Sequence, residues 1–236
     1  MAMNIQKEVD LFMDLYKNDI YGEVHSYDLV HKRFVDLRYD HAAPTRDYLA
    51  LNLFTFLASW GMLRGSTFML RKNYLFLLEI VDLVRQPKYD YLVDIDVFSS
   101  VFNRAKYIDD VLELKNEIIR ILGGKPYFVL KKDNGVLEVK KKLTSKPSDT
   151  LVGKILLVTL GCLFAYDRLA IAACRKEKIT AVISQRGLNA LLDYMSKNSA
   201  DIVAAVGNAN AVVQSIYGAS ATYYSQMKIM DMALWA

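Results

Sequence analysis

Two stretches of the chain carry no charge and almost no polarity: residues 48–63, a run of 16, and residues 155–166, a run of 12. A helix that crosses a bilayer needs about 20 apolar residues, so neither run is expected to span one. Each is expected instead as a helix buried in a protein core, with the rest of the chain wrapped around it. Asn52 interrupts the first run, while Lys154, Asp167 and Arg168 bound the second, and such groups would be costly in lipid. The 236 residues are 53% hydrophobic with only 4 Pro and 11 Gly, so the chain can fill that core. Disordered, collagen-like and low-complexity classes are excluded on the same grounds.

Helical spacing dominates the sequence. Ile5, Val9, Phe12, Met13 and Tyr16 recur three or four apart and predict an amphipathic helix. A second helix is expected from Ser26 or Asp28 through Leu37, ending at Ala43-Pro44. Thr45 is expected to cap a third, over residues 46–62, as the central helix. Gly61 and Gly65 then predict a kink or a break before helical character resumes over residues 68–84. Residues 89–98 fit either helix or extended chain, and residues 108–122 have clear helical spacing that Gly123-Gly124 stops. One β signal follows. Residues 127–131 and 136–140 are rich in aromatic and β-branched side chains and flank Asn134-Gly135, a dipeptide suited to a tight hairpin turn. After a polar linker, Ser148 or Asp149 is expected to cap one long helix over residues 151–176, with further helices over 185–196, 200–216 and 223–235. The expected fold is mainly α: a single multi-helix domain over residues 1–236, with one basic β-hairpin inserted at about 125–146.

The familiar motifs of catalysis and cofactor binding are missing. There is no Gly-rich phosphate loop, dinucleotide fingerprint, nucleophile elbow or Cys-x-x-Cys pair. His25, His31 and His41 lie near Asp28, Asp36 and Asp40, but at no common ligand spacing, so neither a metal nor a cofactor is expected. Cys162 and Cys174, read as lying on one helix, would be about 18 Å apart, too far for a disulfide. A reducing, cytoplasmic setting and no N-terminal signal segment are expected.

Two features attract a functional reading. Arg64 sits in apolar surroundings beside Gly61, Gly65 and Ser66, while Tyr166, Asp167 and Arg168 interrupt the second apolar run. Together these predict a polar centre of Arg64, Ser66, Tyr166, Asp167 and Arg168. It would be either a core ion pair such as Arg64 to Asp167, since buried charges are paired, or a grip on a phosphate or carboxylate. The second feature is charge. The chain has 30 basic and 26 acidic residues, a net +4; residues 125–146 hold seven lysines against Asp133 and Glu138, a net +5, which leaves −1 for the rest. Lys131, Lys132, Lys140, Lys141 and Lys142, with Tyr127 and Phe128 nearby, are the candidate nucleic-acid contacts. Lysines also guard edge strands against aggregation.

The strings LASWGMLRGS at residues 57–66, SDTLVGKILLVTLGCLFAYDR at 148–168 and MKIMDMALW at 227–235 resemble those of an uncharacterised bacterial protein family. The chain departs from that pattern at Phe164, where a Pro is expected, and at Tyr27-Asp28-Leu29. The resemblance implies no activity. The residues then favour an intracellular binding or interaction protein, accessory to a nucleic-acid-handling or defence system. The alternative is an enzyme acting on a phosphate-bearing small molecule or nucleic acid at the Arg/Asp centre. Nucleic acid is the partner to test, no membrane partner is expected, and homo-oligomers stay open.

Overall fold

The computed structural model describes residues 3–65, 67–133 and 136–236. Ser66 and Asn134-Gly135, where the sequence predicts a tight turn, lie outside the described residues. The fold is mainly α with one two-stranded antiparallel hairpin.

In chain order the helices are α1 (Ile5–Asn18), α2 (Ser26–Asp36), α3 (Ala43–Ser59), α4 (Leu78–Val84) and α5 (Arg104–Leu122). Strands β1 (Pro126–Asp133) and β2 (Val136–Leu143) follow. Then come α6 (Asp149–Leu160), α7 (Arg168–Lys176), α8 (Gln185–Lys197), α9 (Ser199–Tyr217) and α10 (Gln226–Trp235). Residues 68–84 do not form one helix: two short 3₁₀ turns, Phe68–Arg71 and Tyr74–Leu77, precede α4. A further 3₁₀ turn, Pro87–Leu92, occupies the stretch that fitted either conformation. Pro44 does not end α2 but lies in the first turn of α3, where its missing N–H has no helical partner to lose.

The central helix is α6, not α3. Every residue from Leu151 to Leu160 is buried, and α2, α3 and α5 pack around it. The second apolar run therefore organises the molecule. The first, α3, turns Tyr48 and Leu51 outward while Leu49, Leu53, Phe56 and Leu57 fill the core. Ser148 caps α6 as expected, its Oγ accepting from Leu151 N at 3.2 Å.

The expected long helix over residues 151–176 is broken. Gly161 adopts φ +62°, a left-handed conformation suited to glycine, and ends α6. Residues 161–167 then return beside α6, so close that a Cβ on Gly153 would lie 2.9 Å from the Phe164 carbonyl oxygen. Asp167 opens the next helix, α7, its Oδ1 accepting from Leu169 N and Ala170 N at 3.0 and 2.9 Å. The two cysteines consequently belong to different segments, and both are free and buried.

The hairpin leaves the helical body through a short clasp. Thr144 N donates to Lys125 O, Lys125 N to Thr144 Oγ1, and Thr144 Oγ1 to Leu122 O, at 2.7–2.8 Å. Lys72 Nζ donates to Pro126 O at 2.8 Å, at the base of β1. The two strands pack mainly against each other, with Tyr127 of β1 resting against the core.

Candidate functional site

The expected polar centre is only partly assembled. Arg64 is exposed, on the turn after α3, and among the described residues no salt bridge joins it to Asp167. The expectation of a buried arginine is therefore corrected. The positive φ of Gly61, +72°, lets the chain turn outward, and the guanidinium lies over that glycine, 3.1 Å from where its Cβ would be. Arg168 is also exposed, on the first turn of α7. Tyr166 is buried, its ring stacked on Phe164 at 4.2 Å, and its hydroxyl has no hydrogen-bond partner among the described residues. Burial pushes that phenol well above its ordinary range. Asp167 is half-buried and faces inward across a small cavity.

Among the buried cations, which also include Arg38 and Arg85, are two lysines that sequence reasoning passed over. Lys154 of α6 reaches into that cavity and donates to Trp60 O at 2.7 Å. Burial pulls its ammonium below the ordinary lysine range, against the opposing pull of Asp167 and Asp231. Lys228 of α10 is 1% exposed. Its Nζ lies 3.1 Å from Asp231 Oδ2 and faces the rings of Tyr27, Phe12 and Tyr224 at 4.5, 5.1 and 5.9 Å. Asp231 Oδ1 accepts from Ala165 N at 2.9 Å. One residue thus neutralises Lys228 and pins the segment after α6. A signal for this pair existed: Lys228 and Asp231 stand three apart in an otherwise apolar string, the spacing of neighbours on a helix.

A second buried layer lies behind Tyr27. Tyr16 and Tyr224 both donate to Asp28 Oδ2, at 3.0 and 2.9 Å, and burial raises the Asp28 carboxyl above its ordinary range. His31 is fully buried, stacked on Tyr27 at 5.0 Å, with Nε2 3.0 Å from Asp94 Oδ1 and Nδ1 3.0 Å from Val158 O. His25 bridges Tyr16 O and Tyr217 Oη. Among the described residues no group of three or more His, Cys, Asp or Glu is placed to hold a metal ion.

The cavity between Lys154, Asp167 and Asp231 has a volume of about 10 Å³. That is room for one water molecule, whereas small-molecule sites run to about 300–1,000 Å³. The arrangement can hold charges in fixed positions but offers no space for a metabolite.

The hairpin is built differently. Its register sets Phe128 opposite Lys141, Leu130 opposite Val139 and Lys132 opposite Leu137. Directly paired residues share a face, and side chains alternate along each strand. One face therefore carries Phe128, Leu130, Leu137, Val139 and Leu143, all 61–71% exposed, with Lys132 and Lys141 among them. The other carries Tyr127, Val129, Lys131, Glu138, Lys140 and Lys142. Of the five predicted lysines, Lys131, Lys132, Lys141 and Lys142 are exposed, and Lys140 is half-buried, 3.3 Å from Glu138.

The fold and these two sites define a mainly helical protein that presents one cationic, partly apolar β-ribbon. No family model, curated protein or solved structure matches the chain.

Proposed function

We propose that the protein is a binding or interaction protein whose contact element is the β1–β2 ribbon and whose partner is a polyanion. The observation that carries this reading is the ribbon itself: five large apolar side chains lie open on one face, and lysines line both faces. A lone two-stranded hairpin is marginal in water, and a contiguous apolar patch marks an interaction surface. The water-sized cavity beside Lys154 and Asp167 gives a substrate no room at that point of the expected Arg/Asp centre. Two free thiols are in keeping with a reducing, cytoplasmic setting.

The test replaces Lys131, Lys132, Lys140, Lys141 and Lys142 together by Gln. The parent protein is expected to bind single-stranded oligonucleotides or anionic vesicles at low salt, with affinity falling as salt rises. The variant is expected to lose that binding with its helical circular dichroism intact. A parent that binds neither polyanion at low salt would end the reading.

A further inference from the structure

Resting on that reading, we propose that the polyanion is an anionic lipid bilayer, on which the ribbon lies with Phe128, Leu130, Leu137, Val139 and Leu143 turned into the boundary between headgroups and acyl chains.

The apolar face decides among the polyanions. Nucleic acid would satisfy the lysines, but only Phe128 on that face has a ring on which a base can stack. Leu130, Leu137, Val139 and Leu143 would gain nothing from bases or phosphates. A second copy of the chain would cover the apolar side chains, yet it would set Lys132 and Lys141 against their own kind, on segments that each carry +5. A bilayer takes aliphatic side chains without shape complementarity, and its anionic headgroups match the charge.

The ribbon's geometry suits this placement. Strands of eight residues extend about 26 Å. Lysine stems can lie along apolar surface while their ammonium groups stay at the headgroup level, which accommodates Lys132 and Lys141 on the inserting face. The opposite face is fixed towards the helical body at its base, where Lys72 Nζ sits 5.9 Å from the Tyr127 ring and binds Pro126 O. The apolar face is thereby left pointing outward. No helix among the described residues is long and apolar enough to cross a membrane. The expectation of no membrane partner rested on crossing segments, and a ribbon lying in the interface needs none.

The test is flotation of the full-length protein with vesicles of phosphatidylcholine alone and of an equal mixture with phosphatidylglycerol, alongside a single-stranded oligonucleotide. The parent is expected to float with the anionic vesicles and not with the neutral ones. A Leu130→Ser/Val139→Ser variant keeps every lysine and alters only exposed side chains. It is expected to bind the anionic vesicles at least about tenfold more weakly. Equal vesicle binding by this variant would overturn insertion of the apolar face. Binding of the oligonucleotide but of no vesicle would overturn the bilayer and leave the polyanion reading standing. Binding of neither would end both.

Discussion

His31 shows how much a single buried side chain can report. Burial pulls its imidazole towards the neutral form, but the Asp94 carboxylate and the Val158 carbonyl outweigh this and hold the group above its ordinary value of 6.5. A group whose pKa is higher in the folded than in the unfolded chain stabilises the fold fully below the unfolded value, and that contribution fades as pH rises through the folded one. Urea unfolding of the parent across neutral pH is therefore expected to show stability falling as pH climbs above 6.5. Asp94→Asn is expected to flatten that dependence, and an unchanged slope in the variant would contradict the assignment. At this scale the sequence was a poor guide. Arg64 drew attention because its neighbours are apolar, yet two positive-φ glycines, Gly61 and Gly65, flank it and carry it outward. Lys154 and Lys228 looked like ordinary helix lysines. Their burial depends on which helix faces the core, and a charge in an apolar string does not reveal that it is buried, even where, as for Lys228, its partner stands three residues away.

Elements were legible where periodicity was clean. The spacing of Ile5, Val9, Phe12, Met13 and Tyr16 placed α1, and all five are buried. Aromatic and β-branched residues on either side of Asn134-Gly135 placed the two strands. The failure lay in the second apolar run, read as one helix because a fully buried segment has no polar face to lose phase at a break. Gly161 marks that break. A Cβ there would come within 2.3 Å of Asp94 Oδ1 and 3.3 Å of His31 Cε1, besides forcing a side chain into the left-handed region. Gly161→Ala is expected to destabilise the protein by at least about 2 kcal/mol, read as a lower urea midpoint with an unchanged slope. A variant as stable as the parent would mean that the turn relaxes freely and that α6 and α7 are not held in this arrangement.

At the scale of the molecule, the helical body is closed on itself: α1 packs against α9 and α10, and α10 reaches α7. The ribbon contributes little to that body. Replacing residues 126–143 by a short Gly-Ser link is expected to leave a cooperative thermal transition within a few degrees of the parent's. Loss of the transition would show that the ribbon is part of the core's support. Fold class and the place of the insertion could be read from the chain because they follow from local pattern and charge. The identity of the central helix could not, since two comparably apolar runs compete for that position and only packing chooses between them.

The clasp at the ribbon's neck sets a limit to this separation. Thr144 ties Leu122, at the end of α5, to Lys125, and a few residues later the chain enters α6. The ribbon is thus held at its neck by Thr144 on one side and by Lys72 on the Pro126 carbonyl on the other, between the end of α5 and the start of α6. The same few residues that close α5 also anchor the ribbon, so a change at Thr144 would reach both.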